Sequence, residues 1–120
     1  ISSNDAETYP DDSPESLKQF AIAESLPFIL CYDPSQETAK AYSAACTPDF
    51  FLFSRDRSLI YRGQLDDSRP GNNIPPSGHD LRAAIDAALA DKPVSEDQKA
   101  SLGCNIKWKV GNEPVYFALK

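Results

Sequence analysis

The chain has 120 residues, of which 41% are hydrophobic and 25% charged, and such values are typical of one folded domain. Its net charge of −6 argues against nucleic acid as a partner, because acidic surfaces repel phosphate backbones. No apolar run approaches the roughly 20 residues that a membrane-spanning helix requires, so we expect no membrane partner.

Three cysteines, Cys31, Cys46 and Cys104, lie far apart in the sequence. Their odd number argues against a disulfide-stabilised secreted scaffold, and no pair of cysteine or histidine residues has the spacing of a zinc site. We therefore expect a reducing compartment, taken to be the cytoplasm, and neither a metal nor another cofactor.

The first predicted element is a helix that begins after an acidic loop. Ser13-Pro14 is typical of a helix start, because serine caps a helix and proline fits its first turn. Apolar residues then recur at helical spacing and predict one buried face: Leu17, Phe20 and Ala21.

A strand and a second helix are predicted next. The apolar run 28–32 is short and rich in β-forming residues, which favours a strand and would place Cys31 in the core. Asp33-Pro34-Ser35 is a turn that can cap a helix over residues 36–45. Cys46 would then lie at the C-terminal end of this helix, where the helix dipole disfavours a thiolate.

The tripeptide Cys46-Thr47-Pro48 marks the passage from that helix to the next strand. Proline has no N–H group for a sheet, so Pro48 fits a strand entrance, and we predict a cis peptide bond between Thr47 and Pro48. A thiol two residues upstream makes this bend a candidate for sulfur chemistry.

The next two strands, 49–53 and 59–65, are close enough in sequence to form an antiparallel hairpin with a polar turn. The first is apolar on both faces, as expected for a covered strand. Arg62 could lower the pKa of a nearby thiol, or could equally pair with Asp49 across the hairpin.

A long loop, residues 66–76, leads to a third helix that is predicted to have Ser77 as its cap and to end at Lys92-Pro93. Its apolar stripe is the clearest in the sequence: Leu81, Ala84, Ile85, Ala88 and Leu89. Polar residues near the loop could form a metal site or an acid/base pair, but their spacing favours a solvated loop and a helix cap: Asp66, Asp67, Arg69, His79 and Asp80.

After residue 93 the periodic pattern weakens to an acidic segment, and the string Gly103-Cys104-Asn105-Ile106-Lys107-Trp108-Lys109 follows. Trp108, Tyr116 and Phe117 would be costly to leave in water. We therefore predict a domain of residues 1–93 and a C-terminal extension, residues 94–120, packed on it.

Two segments resemble the redoxin family, which groups peroxiredoxin-like and thiol-disulfide oxidoreductase proteins. They are Ala45-Cys46-Thr47-Pro48-Asp49-Phe50-Phe51-Leu52-Phe53 and Tyr61-Arg62-Gly63-Gln64-Leu65-Asp66-Asp67. The resemblance extends over nearly the whole chain and implies an α/β, thioredoxin-like fold with a mixed sheet flanked by helices. Family members have a strand, a cysteine-containing turn and a helix before the point that matches Ile1, so we expect a chain truncated at its N-terminus.

The resemblance implies a thiol-dependent oxidoreductase that reduces peroxides or exchanges disulfides with the help of a thiol electron donor. Its principal cysteine would lie upstream, and Cys46 or Cys104 would complete the cycle. Cys104 follows Gly103 in a segment that looks flexible, as a resolving cysteine requires. Thr47 and Pro48 would shape the substrate groove. Packing roles for both cysteines remain the alternative.

A second interpretation is a non-catalytic binding or scaffold module that keeps the groove without the redox pair. Under either interpretation, the absent strand would leave sheet edges exposed beside phenylalanine side chains. We therefore expect a homodimer or strand exchange.

Overall fold

The computed structural model describes residues 1–119 and divides the chain into two units. The first unit joins Ile1–Ala45 to the segment from Asn105 onward, and the second is Cys46–Cys104. The sequence-based division into residues 1–93 and 94–120 stays a prediction.

Helix α1 (Pro14–Ala23) begins where the sequence predicts, because Ser13 Oγ accepts a hydrogen bond from Ser16 N at 3.3 Å. The predicted buried face is wrong: none of the residues of α1 is buried, and Phe20 is 53% exposed. Helical spacing produces an apolar stripe, but it does not supply a neighbour, and α1 contacts the short 3-10 helix Pro10–Asp12 that precedes it.

Helix α2 (Glu37–Ala41) is shorter than the predicted 36–45. Asp33 Oδ2 accepts from Thr38 N at 2.9 Å, as expected of the capping turn. The helix ends early because Ser43 adopts a left-handed backbone, with φ of 51°, and Ala44 N turns back to Ala39 O at 2.9 Å. Cys46 therefore lies beyond the last helical turn, and the predicted effect of the helix dipole on its thiol is wrong.

The core of the first unit is organised around Gln36, whose side chain is fully buried at 0% exposure. Its Nε2 donates to Ser3 O at 2.7 Å and to Lys107 O at 2.9 Å. Its Oε1 accepts from Lys109 N at 3.0 Å and from Asn112 Nδ2 at 2.8 Å. The predicted burial of Trp108 is confirmed. The buried apolar residues of this unit are Ala39, Ala44, Ile106 and Trp108.

Residues 28–32 do not form the predicted strand. Tyr32 makes an isolated parallel bridge with Ser2, while Phe28 and Ile29 are 63% and 86% exposed. Cys31 is exposed too, so its placement in the core is wrong. A strand is stabilised by pairing and burial, and in the described part of the chain this run has one bridge and little burial.

The second unit contains the predicted hairpin. Strands β2 (Phe50–Phe53) and β3 (Leu59–Gly63) are antiparallel, with Leu52 opposite Tyr61. Helix α3 (His79–Leu89) packs against both strands through a face on which Ala84 is buried. Among residues 1–119, no helix is both long and apolar enough to cross a membrane.

The strand pairings contradict the predicted thioredoxin-like fold. In place of one mixed sheet flanked by helices, the described residues form two sheets of two strands each: β2 with β3, and β1 (Cys46–Thr47) with β4 (Cys104–Asn105). The prediction relied on a local motif and on a strand at residues 28–32, and that strand is absent. A motif specifies local conformation, whereas a sheet also requires partner strands that the motif does not specify.

Candidate functional site

Strand β1 places two side chains of different exposure next to each other. Consecutive residues of a strand point to opposite faces, and accordingly Cys46 is buried, at 7% exposure, while Thr47 is exposed. The Cys46 thiol donates a weak hydrogen bond to Pro48 O, with Sγ and O 3.6 Å apart. The peptide bond between Thr47 and Pro48 is cis, which confirms the prediction.

Cys104 lies at the start of β4, the strand that pairs with β1. Gly103 brings it there: a β carbon added at Gly103 would stand 2.2 Å from Thr47 O, so the two backbones approach as closely as glycine alone permits. Cys104 is exposed. The pairing thus places Cys46 and Cys104 on neighbouring strands, one thiol buried and the other open to solvent.

The three cysteines of the described residues form no disulfide with one another. Cys31 belongs to the first unit, while Cys46 and Cys104 belong to the second. The structure therefore brings together the two cysteines that the sequence singled out for chemistry.

An apolar groove of about 610 Å³ lies between the β2–β3 hairpin and the C-terminal half of α3. Its apolar lining includes Leu52, Ile60, Ile85, Leu89 and Val94. Thr47 and Pro48 do not line it. Their part in a substrate groove stays a prediction.

Arg62 has the second of its two predicted roles. Its Nη2 lies 3.6 Å from Asp49 Oδ2, and its guanidinium carbon lies 5.0 Å from the centroid of the Phe51 ring. The predicted ion pair across the hairpin is confirmed.

Asp66 is a buried carboxylate at the start of α3. The Ser68 hydroxyl and the amides of Gly78, Ser68 and Ser77 donate to it, and these bonds hold the pKa of Asp66 well below its usual range. Its Oδ2 lies 2.6 Å from the amide nitrogens of both Ser77 and Gly78. Asp66 therefore caps α3 together with Ser77, the predicted cap, whose Oγ accepts from His79 N at 3.2 Å.

A buried amide, Gln64, connects the other polar residues near the loop. Its Nε2 donates to Asp67 Oδ1 at 2.8 Å and to Asp80 Oδ2 at 2.6 Å, and its Oε1 accepts from Arg69. These bonds lower the pKa values of both aspartates, with Lys99 the largest influence on Asp67 and Gln64 on Asp80. Over residues 1–119, no three histidine, cysteine, aspartate or glutamate side chains are placed to hold a metal ion.

Sequence reasoning missed three glutamines that join distant segments: Gln36, Gln64 and Gln98. Periodicity identifies apolar faces and turns, but it contains no signal for an amide that pairs with backbone groups far away in sequence. These side chains became visible only in the structure.

The chain is similar to solved structures of proteins whose function is not described. No family model and no curated protein matches the chain. It is similar to the crystal structure of an uncharacterized conserved protein from Geobacillus kaustophilus, with 61% identity and a TM-score of 0.87 over 89% of this chain and 57% of that one.

The chain is also similar to the crystal structure of the hypothetical protein SMc02350 from Sinorhizobium meliloti 1021. The identity is 51% and the TM-score 0.89, over 91% of this chain and 60% of that one. The chain thus spans less than two thirds of the length of either solved structure.

Proposed function

We propose that the chain acts in thiol-dependent redox chemistry, either the reduction of a peroxide or thiol–disulfide exchange, in a reducing compartment. The observation that carries the proposal is the pairing of β1 with β4, which places Cys46 and Cys104 on neighbouring strands. Because Cys104 is exposed, an oxidised sulfur on another segment or molecule can reach its thiol.

In this proposal Cys104 is the resolving thiol, and the principal cysteine lies outside these 120 residues. The principal thiolate attacks a peroxide oxygen, the O–O bond breaks, a sulfenic acid forms and the second oxygen leaves as an alcohol or water. The Cys104 thiolate then attacks the sulfenic sulfur, so that an S–S bond forms and water leaves. A thiol donor reduces this disulfide and is itself oxidised to a disulfide.

Cys46 has a supporting part in the cycle. Its thiol is buried and donates to Pro48 O, so it reacts more slowly than an exposed thiol. It becomes an exchange partner for Cys104 or for the principal cysteine when β4 leaves β1.

The experiment compares cysteine variants of the full-length protein after one equivalent of hydrogen peroxide. We expect the wild type to lose two thiols for each peroxide, and Cys104→Ser to lose fewer because its sulfenic acid finds no resolving partner. Cys31→Ser is the matched control, since Cys31 is also exposed but lies in the first unit. Equal thiol loss in the wild type and in Cys104→Ser would contradict the proposal.

A second candidate is a non-catalytic binding module. The burial of Cys46 and its bond to Pro48 O favour this candidate, because a buried cysteine commonly serves as a small apolar residue. The binding module predicts that Cys104→Ser and Cys31→Ser respond alike to peroxide.

A further inference from the structure

Residues 95–104, here called the strap, run along the edge of β3 that faces away from β2. Gln98 holds this edge with its side chain: its Oε1 accepts from Arg62 N at 2.9 Å, and its Nε2 donates to Ile60 O at 3.0 Å. A parallel strand would bond to the same two groups, which flank Tyr61. The Gln98 amide therefore takes the place of a neighbouring strand.

Three further contacts hold the strap at and beyond the C-terminal end of β3. Lys99 O accepts from Gln64 N at 2.9 Å, and Ser101 Oγ donates to Gly63 O at 2.6 Å. Lys99 Nζ lies 2.9 Å from Asp67 Oδ1 in an exposed ion pair. These contacts lead to Gly103 and Cys104, where the strap reaches β1.

All of these contacts are polar. None of residues 95–104, every one of which the structure describes, is buried, and Leu102 is 70% exposed. A segment held by solvent-accessible hydrogen bonds, without a buried apolar side chain, belongs to the part of a protein that opens most easily. The hairpin beneath it contains the buried Tyr61 and packs on α3.

We propose that the strap detaches from β3 as one unit while the β2–β3 hairpin stays folded, and that detachment releases Cys104 from β1. The opening follows from the contacts of the strap alone. The use of the released thiol in resolving a sulfenic acid rests on the proposed function.

The amide protons of Arg62 and Gln64 report detachment, because both are bonded to the strap. In hydrogen exchange measured by NMR on the full-length wild type, the two should exchange with similar protection and faster than the amides that join β2 to β3. Protection of Arg62 and Gln64 equal to that of the hairpin would contradict the proposal.

Two variants loosen the strap at different points. Gln98→Ala removes the side-chain contacts. Gly63→Ala leaves Gln98 unchanged and adds a carbon that would stand 2.4 Å from Lys99 O and 3.1 Å from the Tyr61 hydroxyl.

In Gln98→Ala we expect the hydrogen-exchange rate of the Gln64 amide to rise about tenfold. In Gly63→Ala we expect a similar rise, about tenfold, for the Arg62 amide. The acceptor of Gln64 N, Lys99 O, is still present in Gln98→Ala, and the acceptor of Arg62 N, Gln98 Oε1, is still present in Gly63→Ala. Faster exchange of both amides therefore shows that the strap opens as a unit.

Glu96→Ala is the matched control, because it truncates an exposed side chain of the strap that has no described contact with β3, and both reporters should keep their wild-type rates. Unchanged exchange of Gln64 in Gln98→Ala, or faster exchange of the hairpin amides in that variant, would overturn detachment as a unit. Fast strap opening combined with a Cys104 that stays a thiol after peroxide would support the strap and contradict the redox function.

Discussion

The side chain of Gln36 shows how much of the first unit depends on one residue. A primary amide offers two donors and one acceptor oxygen, and in Gln36 both ends are paired with groups from segments before and after α2. A buried amide is tolerated when its polar atoms are hydrogen-bonded. Loss of a partner lowers the free energy of unfolding, because a buried polar atom is then left without a hydrogen bond. Stability should therefore respond to changes of chemistry at this position even where the shape is kept.

Gln36→Glu keeps the shape and removes the donors. We expect it to lower the free energy of unfolding by about 3 kcal/mol, because the carboxylate would lie buried beside Ser3 O and Lys107 O. Urea denaturation measures the loss. Gln19→Glu, the same substitution at an exposed position of α1, should change stability by less than about 0.5 kcal/mol. Equal losses at the two positions would show that the described pairing does not stabilise the chain.

Asp66 makes stability depend on acidity. Its pKa is lower in the folded chain than in the unfolded chain, so its contribution is fully present above the unfolded value of about 4 and is lost as the pH falls below it. We expect the free energy of unfolding to decline between about pH 4 and pH 2, and Asp66→Asn to reduce that decline. Urea midpoints measured over this range test the expectation.

Other aspartates act in the same direction, so the decline should not vanish in Asp66→Asn: Asp5, Asp33, Asp56, Asp67 and Asp80. Asp86→Asn, at an exposed position of α3, controls for the loss of one negative charge. A decline in Asp66→Asn as steep as that of the wild type would rule out the described hydrogen bonds as its cause.

At the scale of elements, all three α-helices of the described residues end in the same motif. The second residue beyond each helix has a left-handed backbone, and none of these residues is glycine: Ser25, Ser43 and Asp91. The amide of the following residue reaches back to the last turn: Leu26 N to Ala21 O, Ala44 N to Ala39 O and Lys92 N to Ala87 O.

This motif explains which helix boundaries the sequence could predict. The starts of α1 and α2 were visible, because serine and aspartate at Ser13 and Asp33 are common capping residues. The ends were hidden because glycine, the usual signal at the left-handed position, is absent there. The predicted second helix consequently extended to residue 45.

Ser25→Gly should stabilise the chain by about 1 kcal/mol, because glycine adopts a positive φ without the cost that a side chain carries. Thermal and urea denaturation measure the gain. Ala23→Gly, at the last residue of the same helix, is the control and should destabilise by about 1 kcal/mol, because glycine weakens a helix. A loss of stability in Ser25→Gly would contradict the described backbone.

Gly103→Ala tests the contact between β4 and β1. The added carbon would overlap Thr47 O, and relief of such overpacking costs about 1–3 kcal/mol, so we expect the two short strands to separate. Alkylation of Cys46 by iodoacetamide should then become several times faster than in the wild type. Leu102→Ala, which removes an exposed neighbouring side chain, should not change this rate. Unaltered alkylation in Gly103→Ala would mean that β4 does not shield Cys46.

At the scale of the whole chain, the sequence predicted local features and failed on long-range pairing. The hairpin, the start of α1 and the burial of Trp108 follow from turns, caps and apolar size. The mixed sheet was wrong because a strand two residues long, such as β1 or β4, contains no periodic signal from which its partner could be inferred.

At the candidate site, too, the sequence predicted local features but not long-range pairing. The sequence singled out Cys46 and Cys104 by type and position, but only the pairing of β1 with β4 makes them neighbours. It also placed Cys31 in the core, and this was wrong because exposure depends on the neighbours that a run of residues acquires. The expected homodimer or strand exchange stays a prediction.

The most direct test of the redox account is disulfide mapping of the full-length protein after one equivalent of hydrogen peroxide. Mass spectrometry of peptides prepared without reductant identifies the partner of each cysteine. The account predicts that the Cys104 peptide is joined to a peptide from outside these 120 residues, while the Cys31 peptide remains a thiol. A Cys104 peptide recovered as a thiol, with peroxide consumed and the disulfide elsewhere, would contradict the account.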